Sequence, residues 1–167
     1  HIAVDNFQEL EILNRLAAEK GKKPDILLSL TPGVDPHTHQ YTTTGTIDSK
    51  FGFPQARSEE AVTTAMSLPN LNLVGLHCHI GSLIFETEPY QQAIDFMLNF
   101  AAEMKRKHNF KLKEFSVGGG FAIQYTLDSP TPPISTYAEV ITSSIISRCH
   151  QLKMPLPRLI IEPGRSI

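Results

Sequence analysis

The sequence predicts an α/β fold built around a parallel sheet. Five short apolar runs follow one another along the chain, and segments with helical spacing of apolar residues separate them. A parallel return between strands needs such a crossover, so the alternation itself indicates parallel pairing. The predicted order is βαβαβαβαβ, which fits either a doubly wound sheet or a (β/α)8 barrel.

The length of the chain favours part of a barrel. A (β/α)8 barrel of about 250 residues uses roughly 31 residues per unit, so a chain of 167 residues supplies between five and six units. Five strands would be most of a barrel, and its two edge strands would then be left unpaired. We therefore expect residues 1–167 to form one partial TIM-barrel domain.

The first half of the chain supplies two strands and a long loop. A first strand over 2–4 precedes a helix over 7–20, which a glycine and a proline end. A second strand is predicted over 26–30. The irregular stretch from Thr31 to Pro54 follows, and loops of this length in a compact domain are usually functional or disordered.

The remaining segments continue the alternation of helix and strand. Their predicted bounds are a helix over 58–67, a strand over 73–80, a helix over 89–107, a strand over 115–117, a helix over 135–152 and a strand over 159–161.

Composition excludes several classes of protein. Fifteen basic and 17 acidic residues leave no cationic excess for general nucleic-acid binding. No apolar run approaches the roughly 18–20 residues that span a bilayer, so we expect no membrane partner. Cys78 and Cys149 form neither a metal motif nor a disulfide framework. Reduced thiols in a cytoplasmic protein are the simplest interpretation.

Three predicted strands end in residues that suggest chemistry. In parallel α/β folds, functional groups collect at the carboxyl ends of the strands. The third, fourth and fifth strands run into HCHIGS at 77–82, GGG at 118–120 and EPGR at 162–165.

The glycine run favours a phosphate-bearing ligand. Three successive glycines after a strand expose backbone N–H groups that can wrap a phosphate, although the same run could be a flexible turn. Arg165 and Ser82 at neighbouring strand ends add a cation and a hydroxyl. The three features together favour phosphate binding.

Glu162 and the paired histidines leave alternatives open. Glu162 is predicted to end an apolar strand, where a poorly solvated carboxylate needs a partner, either Arg165 or a protonated ring nitrogen of a cofactor. His77 and His79 are two residues apart on a strand and should face the same side. They could bind a metal, lie against a planar ligand or be hydrogen-bonded barrel residues.

Five motifs in a fixed order resemble those of diaminopimelate decarboxylases, which belong to the alanine-racemase-like class of pyridoxal-phosphate (PLP) enzymes. The motifs are TPGVDPHTH at 31–39, DSKFG at 48–52, GLHCHIGS at 75–82, GGGF at 118–121 and EPGRS at 162–166. The resemblance spans essentially the whole chain. The first and third motifs favour diaminopimelate over the substrates of the related ornithine and arginine decarboxylases.

The resemblance implies both a fold and an activity. The family has an N-terminal (β/α)8 barrel that binds pyridoxal 5'-phosphate and a C-terminal β domain. It acts as a homodimer that decarboxylates the amino acid meso-diaminopimelate to L-lysine in lysine biosynthesis. The alternatives are an ornithine- or arginine-type decarboxylase, or a metal-dependent TIM-barrel hydrolase using His77 and His79.

The resemblance also implies a role for each site residue, and it implies no metal ligand. His79 would stack on the cofactor ring, and Glu162 would pair with its pyridine nitrogen. Arg165 would contact the phosphate or a substrate carboxylate, and the loop over 31–53 would cover the site. The remaining cofactor-binding residues would contact the phosphate: Ser82, Gly118, Gly119, Gly120 and Gly164.

Two departures from the family pattern are expected to matter. No predicted strand here ends in lysine, so the lysine that holds the cofactor covalently should lie outside this chain. The chain should then contain the later five or so βα units of the barrel, without the earlier units or the β domain, and be inactive alone. The second strand has Ser29 where the family has an arginine.

Overall fold

The computed structural model describes residues 1–34, 51–124 and 131–167. Five strands and four helices alternate within these ranges, and a 3-10 turn follows the last strand. They are β1 (Ile2–Val4), α1 (Phe7–Glu19), β2 (Asp25–Ser29), α2 (Gln55–Ser67), β3 (Asn72–His77), α3 (Glu88–His108), β4 (Glu114–Ser116), α4 (Ile134–Gln151), β5 (Arg158–Ile160) and the 3-10 turn Gly164–Ser166.

All five strands form one parallel sheet. The spatial order is β1-β2-β3-β4-β5, the same as the order along the chain. Each strand therefore pairs with the next one after a crossover, and β1 and β5 are the edges. The predicted α/β class and parallel pairing are confirmed.

Helix α1 shows how the local sequence sets an element. Asn6 caps the helix by accepting a hydrogen bond from the Glu9 amide at 2.9 Å, and the Glu9 carboxylate accepts one from the Asp5 amide at 2.8 Å. The first bond satisfies an amide that the first helical turn leaves without a partner, and the second ties the residue before the cap to the same turn. Leu10 and Ala17 are the buried residues of the helix.

Helix α2 begins three residues earlier than predicted. Pro54 precedes it with φ −66° and ψ 154°, and the helix starts at Gln55. Ser58, predicted as the start, lies inside the helix, where its hydroxyl donates to the Pro54 carbonyl at 3.1 Å. A serine can cap a helix or bond back to the preceding turn, and sequence alone did not separate the two.

Strands β3 and β5 end earlier than predicted. Strand β3 ends at His77 instead of residue 80, and β5 ends at Ile160 instead of 161. His79 and Glu162 consequently lie two residues beyond their strands. The prediction that Glu162 is the last residue of a strand is wrong. Because Glu162 lies beyond the strand, its side chain is more exposed than a strand position would make it.

The sheet is curved. His1, which precedes β1, lies with its Nε2 3.0 Å from Oε2 of Glu114 in β4, although two strands separate β1 from β4. The curvature brings side chains from the amino ends of several strands together on one face. Within 1–34, 51–124 and 131–167, no helix combines the length and the apolar character needed to cross a membrane.

Candidate functional site

A cleft of about 320 Å³ opens at the carboxyl end of the sheet. Its size falls at the lower end of the range for small-molecule sites. Residues at or just beyond the carboxyl ends of β1, β2, β3 and β5 line it, together with Phe51. They are Asp5, Ser29, Leu30, Thr31, Phe51, His77, His79 and Glu162.

The glycine turn and the turn that contains Glu162 are neighbours, as the sequence predicts. The Glu162 amide donates to the Gly118 carbonyl at 2.8 Å. A Cβ on Gly119 would lie 1.8 Å from the Glu162 carbonyl oxygen, and one on Gly120 would lie 2.0 Å from the Gly81 carbonyl oxygen. The glycines therefore let three strand-end loops pack backbone against backbone.

Two of the three glycine N–H groups are already used within the protein. The Gly118 amide donates to Ser116 Oγ at 3.2 Å, and the Gly119 amide donates to His79 Nδ1 at 3.3 Å. The amide of Gly120 has no hydrogen-bond partner among the described residues. The prediction that all three N–H groups are exposed is wrong, and Gly120 is the one whose N–H remains for a ligand.

Two buried tyrosines hold the loops around the cleft. Tyr90 of α3 donates to the Gly119 carbonyl at 2.8 Å, and Tyr137 of α4 donates to the Ile84 carbonyl at 2.7 Å. The C=O and N–H of a trans peptide point in opposite directions. The hydrogen bond from Tyr90 points the Gly119 carbonyl toward α3. The N–H of Gly120, in the same peptide, therefore points away from α3.

His79 is a neutral imidazole with a defined tautomer. Burial lowers its pKa below the ordinary value, with a further lowering from His77. Its Nδ1 accepts the Gly119 N–H, so the proton of the neutral ring is on Nε2. A Cβ on Gly118 would lie 2.7 Å from Nδ1, which shows how closely the ring lies against the glycine turn.

Glu162 presents a partly used carboxylate to the cleft. Its Oε1 accepts from Ser116 Oγ at 3.0 Å and lies 3.1 Å from His77 Nε2. The hydrogen bond to His77 is the main cause of its lowered pKa, so the group is ionised at neutral pH. Its side chain is 53% exposed, which corrects the expectation of poor solvation. Oε2 has no hydrogen-bond partner among the described residues.

The other predicted residues lie around these groups. Ser82 is half-buried directly after Gly81, whose carbonyl contacts the glycine turn. Gly164 and Arg165 are exposed in the 3-10 turn that follows Glu162. Most of the expected cover falls in 35–50, which includes His37, His39 and Lys50 and lies outside the described residues.

Sequence reasoning missed two contributors to the site. Ser116 bonds both Glu162 and the Gly118 amide, and its only signal was a hydroxyl in an apolar strand. Tyr90 had the spacing of an ordinary core residue. Cys78 is buried, and burial raises the pKa of its thiol to about 12.

Nothing in the described part of the chain supports a metal-dependent hydrolase. No group of three or more His, Cys, Asp or Glu side chains there could hold a metal ion. One ring nitrogen of each histidine bonds a protein group, with His77 Nε2 on Glu162 and His79 Nδ1 on the Gly119 amide.

The family model for "Pyridoxal-dependent decarboxylase, pyridoxal binding domain" matches residues 1–167. The chain belongs to this family. The resemblance inferred from the five motifs is thereby confirmed, and the cofactor of the family is pyridoxal 5'-phosphate.

Similar proteins agree with this assignment. Diaminopimelate decarboxylases from Synechocystis and Bacillus subtilis are 41% and 39% identical to the chain, each over 99% of its length. Solved diaminopimelate decarboxylase structures from Helicobacter pylori, complexed with L-lysine, and from M. jannaschii match 98% of the chain. Their TM-scores are 0.85 and 0.86, at 30% and 31% identity.

The match covers only part of each relative. The chain spans 35% and 38% of the two curated relatives and 39% and 38% of the two solved chains. The matched region of each relative is therefore one part of a longer protein.

Proposed function

We propose that this chain is the cofactor-binding part of a PLP-dependent enzyme that decarboxylates meso-diaminopimelate to L-lysine. The observation that carries the proposal is the convergence of three strand-end loops on one cleft. That cleft combines an open carboxylate oxygen on Glu162 with the neutral ring of His79. The glycine turn that carries the available amide of Gly120 packs against the loops of both residues. The names of the relatives supply the substrate class.

The residues present fit a phosphopyridine. Gly120 provides an N–H group without a partner among the described residues, and no side chain could replace its hydrogen atom without striking Gly81. Ser82 and Arg165 provide a hydroxyl and a cation near that turn. Glu162 provides the acceptor that a protonated ring nitrogen needs, and His79 provides a flat face without charge.

When bound, the cofactor accepts the electron pair that loss of CO2 leaves on the substrate. Glu162 would hold a proton on the pyridine nitrogen, because a nearby carboxylate favours the charged form of a base. His79 would lie on the ring without adding positive charge. Arg165 would contact the phosphate or the substrate carboxylate. Ser82, Gly164 and the N–H of Gly120 would also contact the phosphate. Gly118 and Gly119, whose N–H groups bond Ser116 and His79, would contact it only through the shape of the turn.

We propose further that the five strands are the later units of a (β/α)8 barrel. The curvature that brings His1 to Glu114 supports closure, because a sheet must curl to form a barrel. The edges at β1 and β5 would pair with the earlier units, and the β domain would also lie outside residues 1–167. A homodimer and a cytoplasmic location, expected from the resemblance and from the reduced cysteines, stay predictions.

The test uses the full-length protein that contains this chain. We expect it to bind pyridoxal 5'-phosphate and to release CO2 and L-lysine from meso-diaminopimelate faster than it acts on ornithine or arginine. Residues 1–167 alone should give no turnover. Failure to bind the cofactor, or a preference for ornithine or arginine, would overturn the proposal.

A further inference from the structure

We propose that His77 is a positioning residue that holds Oε1 of Glu162 and thereby leaves Oε2 to the pyridine nitrogen. The inference rests on the proposed function, because it concerns the same carboxylate. His77 itself need not touch the cofactor. Its effect would pass through Glu162.

The first support is that the two carboxylate oxygens of Glu162 have different contacts. Both donors that hold Glu162, His77 Nε2 at 3.1 Å and Ser116 Oγ at 3.0 Å, lie on Oε1. An ionised carboxylate can only accept, so Nε2 of His77 must carry a proton. Oε2 has no such partner among the described residues and is the oxygen available to a ligand.

The second support is that His77 is itself fixed in place. Its side chain is only 12% exposed, against 53% for Glu162. Nδ1 of His77 lies 3.2 Å from Ser29 Oγ. A serine hydroxyl can donate to this nitrogen while the proton on Nε2 bonds Glu162. Ser29 therefore has a defined partner in His77.

The third support is the register of the sheet. His77 in β3 is aligned with Ser29 in β2 and with Ser116 in β4. Three neighbouring strands thus deliver one row of polar side chains at the carboxyl end of the sheet. Regular strands position side chains more accurately than loops do. A carboxylate two residues beyond β5 gains rigid support from this row.

A half-exposed glutamate without that support would sample several rotamers. Each rotamer change would move Oε2, and water would compete for Oε1. The hydrogen bond from His77 also keeps the carboxyl ionised, since it is the largest cause of the lowered pKa of Glu162. Position and charge of the acceptor would both depend on His77.

The chain contains a matched control. His108 at the end of α3 forms a similar pair with Glu59 of α2, with its Nε2 2.8 Å from Oε1. Neither residue lines the cleft. A variant at His108 removes an imidazole from a carboxylate without touching the proposed site.

The experiment compares His77→Ala, His77→Gln, Ser116→Ala and His108→Ala in the full-length protein. The cofactor is labelled with 15N at the pyridine nitrogen, whose chemical shift reports its protonation. Cofactor affinity, kcat, KM and the thermal unfolding midpoint are measured in parallel. Glutamine can place an N–H near the position of the imidazole Nε2, so it serves as the conservative variant.

We expect His77→Ala to shift the 15N resonance toward the unprotonated form and to lower kcat about tenfold or more, with KM changed less than about twofold. His77→Gln should restore part of the wild-type 15N shift and part of the wild-type kcat. Ser116→Ala should change the 15N shift and kcat in the same direction as His77→Ala, but by less. His108→Ala should match the wild type in shift and kcat.

Two outcomes would overturn the inference. One is a His77→Ala protein that folds and keeps the wild-type 15N shift and kcat. The other is an equal loss in His77→Ala and His108→Ala. If His77→Ala does not fold, Ser116→Ala and His77→Gln decide by the same shift. If the wild type binds no cofactor, the proposed function fails. If the wild type binds the cofactor and is active, and His77→Ala behaves in the same way, only the inference about His77 fails.

Discussion

The two ends of the sheet place carboxylates in opposite circumstances. At the amino end, Glu114 is buried, pairs with Arg158, and has Oε2 3.0 Å from His1 Nε2 without the alignment of a hydrogen bond. At the carboxyl end, Glu162 is half-exposed and held on one oxygen by His77 and Ser116. A buried carboxylate that lost its cation would be an uncompensated charge and would destabilise the fold, whereas an open oxygen beside a cleft can bind a ligand.

The ends also differ in how the strands are joined. Charged side chains link the amino end, where the Asp25 carboxylate also accepts from Asn72 at 2.5 Å. The carboxyl end closes through glycine backbone, with Gly119 against Glu162 and Gly120 against Gly81. Close backbone contact keeps side-chain atoms out of the space where a phosphate would bind.

The largest contrast is expected between the two glutamates. Glu162→Gln removes the charge opposite the ring nitrogen and should lower kcat on the order of 100-fold, with little change in stability. Glu114→Gln should leave kcat per folded molecule unchanged. Steady-state rates and thermal melts of the full-length variants check both. Equal losses of kcat would show that the two ends do not differ as proposed.

A methyl group in the glycine turn should damage the carboxyl end alone. The Cβ of Gly119→Ala would lie 1.8 Å from the Glu162 carbonyl oxygen. We expect a loss of about 1–3 kcal/mol in the free energy of unfolding and a large loss of cofactor affinity. Gly21→Ala is the control, because its φ is +58° but nothing lies within 4 Å. It should cost some stability and no affinity.

The cation at the amino end should matter only for stability. Arg158→Met leaves the buried Glu114 carboxylate without its arginine, which should lower the free energy of unfolding by about 1–3 kcal/mol. Arg57→Met removes an exposed pair with Glu60 and should cost less than about 1 kcal/mol. Urea unfolding measures both. A loss of cofactor affinity in Arg158→Met would contradict the expectation that Arg158 acts on stability alone.

The smallest expected effect is the response to mild acid. The folded-state pKa of His79 lies below its ordinary value of 6.5, so the unfolded chain binds the proton more readily. The stability from this group is present above pH 6.5 and is lost as the pH falls through the lowered pKa. Unfolding of His79→Gln should therefore depend less on pH between about 7 and 5. An unchanged pH dependence would refute the expectation, and NMR titration of the imidazole gives an independent check.

Much of the fold was predictable from the sequence. Apolar runs and helical periodicity placed all five strands and all four helices of the described residues in order. The ends of the elements were less accurate. The apolar run over 73–80 continues past His77, but regular pairing with β2 stops where Ser29 meets His77. Strand ends depend on a partner that the local sequence does not reveal.

The site was predictable at the level of which loops meet. The carboxyl ends of parallel strands share one edge of the sheet, so the glycine turn and Glu162 were expected to be neighbours. The use of individual atoms was not predictable. Which glycine N–H remains available depends on Ser116, His79 and Tyr90, and those contacts follow from register and peptide orientation.

The bond from Tyr90 to the Gly119 carbonyl ties the cleft to the outer layer of helices. A buried phenol on α3 sets the direction of a peptide whose N–H has no partner among the described residues, and Tyr137 on α4 anchors the neighbouring loop in the same way. Anyone redesigning the cleft for another ligand can vary the side chains that line it. The two phenols must be retained, because changing either would shift the backbone of the loops around the cleft and so change ligand affinity.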